Sequence, residues 1–191
     1  MNTVLQQNRA TVEVKQSKFI AHLVPIAAFG GLQEKLRAAH PKSRHVVTAL
    51  RSLNDQDQIV ENSSDDGEPR GSAGVPTLNV LRGEEMINVA VLIVRYFGGT
   101  KLGVGGLVRA YTEATKAVIS QSYILKYEKL HIFSYQSVYS AVQRIEYLLE
   151  QVGIDRVQKQ FGSVVEWQIS GTQERLDAFR ELAGRLIRCA V

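Results

Sequence analysis

Apolar and polar positions follow three different spacings along the chain, and each spacing predicts an element. Residues 11–26 (TVEVKQSKFIAHLVPI) alternate between the two classes, which predicts one or two strands. Residues 32–40 have helical spacing and stop before Pro41, while residues 45–52 again predict a strand. Residues 87–96 (INVAVLIVRY) are nearly all apolar and β-branched. That run predicts a central strand buried on both faces.

The segments that follow these strands differ in character. Residues 54–74 are polar and rich in glycine, which predicts a long loop. Residues 76–83 predict a short helix with proline at its first position. Residues 105–122 predict an amphipathic helix that packs on the core. Its apolar face holds Leu107, Val108, Tyr111, Thr115, Val118 and Ile119, and its polar face holds Arg109, Thr112, Glu113 and Lys116.

The chain from Lys126 onward predicts six elements in the order β-α-β-β-α-β, which is the ferredoxin-like arrangement. We therefore place a boundary near residues 122–126, which separates a first domain (residues 1–124) from a second (residues 125–191). Both mix helices and strands, so the predicted class is α+β. The six elements are predicted over residues 126–135, 137–153, 154–162, 163–170, 172–186 and 187–191.

Composition indicates a globular protein that stays in the cytoplasm. The chain is 45% hydrophobic and 22% charged, and no apolar run approaches the ~18 residues of a membrane span. The first ten residues lack the basic and apolar regions of a secretion signal, and the single cysteine, Cys189, can form no internal disulfide. The net charge of +4 permits an anionic partner without requiring one.

The first segment with candidate chemistry is RYFGGTKLGVGGLVRAY, residues 95–111. A buried strand that leads through glycines into a helix suits a phosphate, because the helix start offers free N–H groups and the positive end of the helix dipole. Lys101 adds a charge there. The spacing matches neither a dinucleotide-binding motif nor a P-loop. Two interpretations therefore remain open: an anion site, or glycines needed only for a tight turn and close helix packing.

The second segment is acidic. Asp65, Asp66 and Glu68 place three carboxylates within four positions, and paired carboxylates can share a proton or bind a hard cation. An Asp–Gly turn with a solvated acidic tip, paired locally with Arg70, accounts for the same pattern without a ligand. His45 with Asp65 or Asp66 would suit a metal or acid–base group, although a structural histidine is the alternative. We predict no metal site and no cofactor.

The third candidate lies in the second domain. Tyr127, Lys129, His131, Phe133 and Tyr135 alternate along one predicted strand. If they face solvent, they form an aromatic and basic stripe on which nucleic-acid bases can stack. If they face inward, they belong to the core. The sequence pattern of an RNA-recognition motif is missing.

Two long motifs resemble the Impact/YigZ family in its bacterial two-domain form. They are SDDGEPRGSAGVP (residues 64–76) and VRYFGGTKLGVGGLVRAY (residues 94–111). Residues 15–26 and 40–50 resemble further blocks of the family, so the likeness covers nearly the whole chain. Two departures stand out. Ser72 replaces a usual threonine, and valines follow His45 where relatives often carry more polar residues or a cysteine, which weakens a metal site at that histidine.

The resemblance implies a fold and a direction for function. The first domain would be similar to the second domain of a small-subunit ribosomal protein, a β-α-β arrangement, and the second to the small ferredoxin-like domains of elongation factor G. Eukaryotic relatives restrain a kinase that controls translation initiation, but they use an additional N-terminal domain, so that role does not transfer directly. Bacterial relatives resemble nucleic-acid-binding or translation-associated proteins. No catalytic residue carries over, and we expect binding rather than catalysis.

We therefore expect a translation-associated protein that binds RNA or the ribosome, with Arg95, Lys101 and Arg109 contacting phosphates. A small-ligand site or enzyme that uses the acidic and glycine motifs, and a protein-interaction module, remain alternatives. The family motif assigns binding to Asp65, Asp66, Gly67, Glu68, Gly71, Gly74, Arg95, Tyr96, Gly98, Gly99, Lys101, Gly103, Gly106, Arg109 and Tyr111. Additional candidates are Lys18, His45, Lys129 and His131.

Overall fold

The computed structural model describes residues 1–189 and shows an α+β protein that divides into two compact units. The first unit ends at Tyr127 and the second begins at Glu128. The boundary thus lies after residue 127 rather than after residue 124. The reason is that residues 125–126 form a short strand that pairs with residues 2–3. Within residues 1–189, no helix combines the length and apolar character needed to cross a membrane.

The first unit, residues 1–127, is built on a five-stranded sheet in the order β2-β3-β6-β4-β5, and all neighbouring strands are antiparallel. Helices α2 and α3 pack on one face of this sheet, and α1 packs on the other. Its elements are β1 (Asn2–Thr3), β2 (Asn8–Val14), β3 (Ser17–Pro25), α1 (Leu32–Ala39), β4 (His45–Leu53), β5 (Ile59–Ser64), α2 (Gly74–Gly83), β6 (Val89–Tyr96), α3 (Gly103–Ser120) and β7 (Leu125–Lys126).

The apolar run predicted as a central strand is confirmed as β6, which is buried from Val89 to Arg95. The prediction of one long loop over residues 54–74 is wrong in the middle of that range. The strand β5 lies there and pairs with β4 at the edge of the sheet. Ile59 and Val60 of that strand are both exposed. An edge strand with little burial shows no apolar alternation, so its composition looks like that of a loop.

The second unit contains a four-stranded antiparallel sheet in the order β11-β8-β10-β9 within its described residues. Helices α4 and α5 form the apolar core with it, so the predicted β-α-β-β-α-β order is confirmed. The last two residues of the final predicted strand lie outside the described residues. The elements are β8 (His131–Ser137), α4 (Val142–Gln151), β9 (Arg156–Phe161), β10 (Val165–Gly171), α5 (Gln173–Ala183) and β11 (Arg188–Cys189).

The prediction of a continuous solvent-facing stripe is wrong, because its two aromatic residues on β8 belong to the core. Phe133 and Tyr135 are buried, and the Tyr135 ring stacks on Trp167 with 5.7 Å between centroids. Residues 127 and 129 precede β8, and His131 is its half-buried first residue. The face of β8 that turns toward the helices must supply apolar volume to the core. The strand's opposite face carries Ile132, Ser134 and Gln136, so it offers no aromatic ring for stacking.

Candidate functional site

The acidic and glycine motifs meet in one pocket of the first unit, with a volume of about 270 Å³. Glu68 and Pro69 come from the acidic motif, and Arg95 comes from the end of β6. The loop after β6 and the start of α3 complete the wall. The lining residues are Glu68, Pro69, Arg95, Phe97, Lys101, Leu102, Gly103, Val104 and Leu107.

Gly98 fixes the path of the loop that leaves β6. Its N–H donates to the Ser17 hydroxyl oxygen at 3.1 Å, where the loop crosses the β2–β3 hairpin. A Cβ at this position would lie 2.0 Å from the carbonyl carbon of Gln16. No side chain fits there, so glycine is required by close backbone approach. The crossing places Phe97 at the pocket with 55% of its surface exposed.

The start of α3 forms the polar end of the pocket. No side chain caps this helix at Leu102, and its first turn contains no acidic residue. Its first N–H groups and the positive end of its dipole are therefore not compensated by a side chain. Lys101 is exposed beside them and forms no ion pair within the described part of the chain. This arrangement suits an anion.

A buried cluster of three side chains forms the floor of the pocket. Arg95 Nη1 donates to both Glu68 oxygens, at 2.6 and 2.9 Å, and the Tyr111 hydroxyl donates to Glu68 Oε1 at 2.8 Å. Burial, together with the negative charge of Glu68, raises the pKa of the Tyr111 hydroxyl well above its ordinary value. The cluster joins the acidic motif, β6 and α3, so it fixes the positions of these three segments relative to one another.

Arg95 retains unused hydrogen-bonding capacity at this floor. Its side chain is nine-tenths buried, and its Nε has no hydrogen-bond partner in the described structure. The guanidinium carbon lies 5.6 Å from the ring centroid of Phe19 and 5.8 Å from that of Phe97. A buried, unpaired N–H group is uncommon in proteins and calls for a partner.

Asp65 has a structural role at the start of α2. Its carboxylate accepts hydrogen bonds from the N–H groups of Gly71, Ala73 and Gly74, at 2.7, 3.0 and 2.8 Å. Burial opposes ionisation, but these hydrogen bonds outweigh it and hold the pKa of Asp65 below its ordinary value. The residue thus satisfies N–H groups that the helix start would otherwise leave free.

Asp66 and His45 do not form a metal or acid–base pair. The Asp66 carboxylate binds Arg37 at 2.5 Å and accepts from the N–H of Val46 at 2.6 Å. His45 Nδ1 donates instead to the Asp66 backbone carbonyl, at 2.7 Å. The predicted turn is correct, since Asp66 and Gly67 both have positive φ. The prediction that the acidic tip is solvated is wrong, because each of the three carboxylates has its own partners.

Metal-binding geometry is absent from this cluster for the same reason. The three carboxylates turn toward three different groups: backbone amides, Arg37 and Arg95. Among residues 1–189, no set of three histidine, cysteine, aspartate or glutamate side chains is placed to hold a metal ion.

The other predicted residues divide between the pocket and more distant positions. Arg109 is exposed on α3, and its Nη1 would lie 3.7 Å from a Cβ at Gly105, so its head lies beside the first turn. The Tyr96 hydroxyl bonds His40 Nδ1 at 2.8 Å, away from the pocket residues. Lys18 is exposed and lies 3.9 Å from Glu13.

The remaining candidate glycines allow backbone conformations or close approaches that a side chain would hinder. The last two candidates lie in the second unit. Gly71 and Gly99 have φ of 75° and 87°, and a Cβ at Gly74 would lie 2.9 Å from the Ser64 backbone. A Cβ at Gly106 would lie 3.0 Å from the Cβ of Leu102. The additional candidates Lys129 and His131 belong to the second unit.

Phe97 is one of several pocket residues to which the sequence assigned no binding role. Its position between a buried strand and two glycines was visible in the sequence. That place within the glycine motif is the signal that could have marked it as a candidate, whereas its exposure is seen only in the structure.

Comparison with known proteins supports a family assignment. Residues 15–119 match the model of the Impact N-terminal domain. An IMPACT family member of Haemophilus influenzae is 30% identical over 190 residues, which cover 92% of this chain and 89% of that protein. The IMPACT family member YigZ of Escherichia coli is 37% identical over 142 residues, covering 73% and 70% of the two chains.

A solved structure extends the likeness to the fold. The crystal structure of a hypothetical protein is 29% identical in sequence and superposes with a TM-score of 0.64. The alignment covers 100% of this chain and 96% of that one.

Proposed function

Because this chain belongs to the Impact family, we propose that it is a cytoplasmic, translation-associated protein that binds RNA, free or on the ribosome. RNA phosphates bind at the start of α3 in the pocket described above. The family resemblance supplies the direction toward translation. The pocket supplies the physical reason for an anionic partner.

One observation carries the proposal: the uncapped start of α3 opens into a pocket that also holds Arg95 and Lys101. Helix starts with free N–H groups bind phosphate oxygens, and a nearby lysine adds charge. Arg109 is exposed on α3, and its guanidinium lies beside the first turn, within reach of a neighbouring phosphate. Arg95 contributes as part of the pocket floor rather than as a free charge, because Glu68 already compensates its charge.

The pocket offers binding groups rather than catalytic ones. Its charged lining consists of Arg95, Lys101 and Glu68. The acidic residues are also committed to structural partners, which leaves none free as a general base in this pocket. Binding is therefore better supported than catalysis.

The test is an RNA-binding titration at several salt concentrations, with fluorescence anisotropy as the signal. We expect the double variant Lys101→Ala/Arg109→Ala to bind about tenfold more weakly than the wild type. Its slope of log affinity against log salt should fall by about 1 to 2, since fewer counterions are released.

The matched control is Lys35→Ala/Lys116→Ala, which removes the same charge from exposed positions. Lys35 lies on α1, across the sheet, and Lys116 lies on α3 about two turns beyond Arg109. This control should retain its affinity and salt slope. Equal losses in both double variants would show a general charge effect and contradict the proposed site, and no binding by the wild type would contradict the function.

A further inference from the structure

We propose that the pocket accepts one unpaired nucleotide of single-stranded RNA, with its phosphate at the start of α3 and its base stacked on Phe97. This inference rests on the proposed function and names its substrate class. It follows from two kinds of surface that lie side by side in the pocket.

The first surface is polar and binds the phosphate. It consists of the uncapped first turn of α3, with Lys101 beside it. The side chain of Arg95 forms the floor beneath this turn, where its guanidinium is paired with Glu68.

The second surface is apolar and flat enough for a base. Phe97 is 55% exposed, and Pro69, Leu102 and Leu107 continue the lining. The Arg95 guanidinium lies 5.8 Å from the Phe97 ring centroid, so a charged group supports the ring within the pocket. Exposed aromatic rings beside basic residues are the platforms on which single-stranded nucleic acids stack their bases.

The backbone that carries this ring is held in place before any ligand binds. Gly98 crosses the β2–β3 hairpin with its N–H bonded to Ser17 Oγ, and the backbone there allows no Cβ. Arg95, two residues before Phe97, is anchored to Glu68. With the backbone held on both sides, base stacking has to order only the side chain of Phe97 and not the loop.

The geometry selects an unpaired base. In a duplex, each base is stacked on its neighbours and paired, so its face is not available to an aromatic side chain. A duplex can therefore use only the phosphate-binding part of the pocket. A single strand can use both parts, because one of its bases can leave the stack.

The experiment compares a short unstructured RNA with a duplex of the same sequence, using wild-type protein and three variants. Phe97→Ala removes the ring, Phe97→Tyr keeps it, and Phe161→Ala removes a ring of similar exposure from the second unit. We expect Phe97→Ala to weaken single-strand binding about tenfold, with an unchanged salt slope and little effect on the duplex. The other two variants should bind as the wild type does, and thermal unfolding should show all of them folded.

The outcomes separate this inference from the proposed function. If single strand and duplex bind equally well, or if Phe97→Ala binds the single strand as well as Phe161→Ala does, the stacking inference is wrong. In that case a loss of affinity in Lys101→Ala/Arg109→Ala would still support phosphate binding at the start of α3. If the wild type binds neither RNA, the proposed function fails.

Discussion

Glu68 and Arg95 form a buried ion pair, with Arg95 Nη1 2.6 and 2.9 Å from the two carboxylate oxygens. The pair connects the acidic motif to the end of the central strand β6. Tyr111 of α3 completes it with a hydrogen bond of 2.8 Å to Glu68. The two motifs that mark the family in sequence therefore meet through a contact that also forms the floor of the candidate site.

Replacement of Glu68 by glutamine should destabilise the first unit by about 3 kcal/mol. The variant keeps the shape of the side chain but leaves the Arg95 charge uncompensated in a buried position, and removal of one partner from a buried pair is costly. Urea unfolding followed by circular dichroism measures the loss. The control is Glu13→Gln, which removes the exposed partner of Lys18 and should cost less than ~1 kcal/mol. Similar losses in the two variants would contradict a structural role for the buried pair.

The sequence predicted elements where a large apolar face enters a core. The run over β6 and the helical spacing of α3 were sufficient, because burial of those side chains decides the structure. The spacing did not reveal β5, whose stability comes from its hydrogen bonds to β4 rather than from burial of its own side chains. Pairing partners on another strand are not encoded in local composition.

The sequence predicted which positions form the candidate site, but it did not predict the role of each carboxylate. Asp66 pairs with Arg37, 29 residues away in sequence, and Glu68 pairs with Arg95, 27 residues away. Which cation each acid finds depends on how the chain folds, and a local pattern of three acids equally suits a metal site. Phe97 was missed for a related reason, since sequence alone does not show which aromatic ring remains exposed.

Gly98 should tolerate no side chain. Alanine at this position would place Cβ 2.0 Å from the backbone of Gln16, and rigid backbone atoms cannot move aside as a flexible side chain can. We expect Gly98→Ala to lower stability by at least about 2 kcal/mol in thermal or urea unfolding. Gly105→Ala is the matched comparison, because its Cβ would meet only the end of the Arg109 side chain at 3.7 Å. An equally stable Gly98→Ala protein would show that the loop takes another path.

His22 should make the fold less stable in mild acid. Burial, with further contributions from Arg9 and His40, lowers the pKa of His22 to about 4, and its Nε2 has no partner in the described structure. The unfolded chain takes up the proton near pH 6.5 while the folded chain stays neutral, so stability is complete above that pH and falls as the pH drops toward 4. The loss attributable to this group as the pH approaches 4 should be roughly 3 kcal/mol.

The variant that checks this expectation is His22→Leu, which places an apolar side chain on the same face of β3 as Ile20 and Val24. Urea unfolding at a series of pH values should show a smaller loss of stability for this variant than for the wild type between neutral and mildly acidic pH. Parallel curves for the two proteins would assign the acid sensitivity to other groups.

Asp65 should contribute to stability as an ionised acceptor at the start of α2. Asp65→Asn replaces one acceptor oxygen with an NH₂ group that cannot accept from the backbone amides of Gly71, Ala73 and Gly74. We expect a loss of about 1 to 2 kcal/mol at neutral pH, measured by urea unfolding. Asp55→Asn, at an exposed position of the β4–β5 turn, should change little.

The same variant also gives a signature in pH. The folded state lowers the pKa of Asp65, so its contribution is present above the carboxylate's ordinary range and is lost as the pH falls through the lowered folded value. The difference in stability between wild type and Asp65→Asn should therefore shrink as acid is added, because the protonated wild-type side chain no longer offers two charged acceptors. A difference that stays constant down to acidic pH would mean that the residue acts through packing, and that the α2 start is held by other contacts.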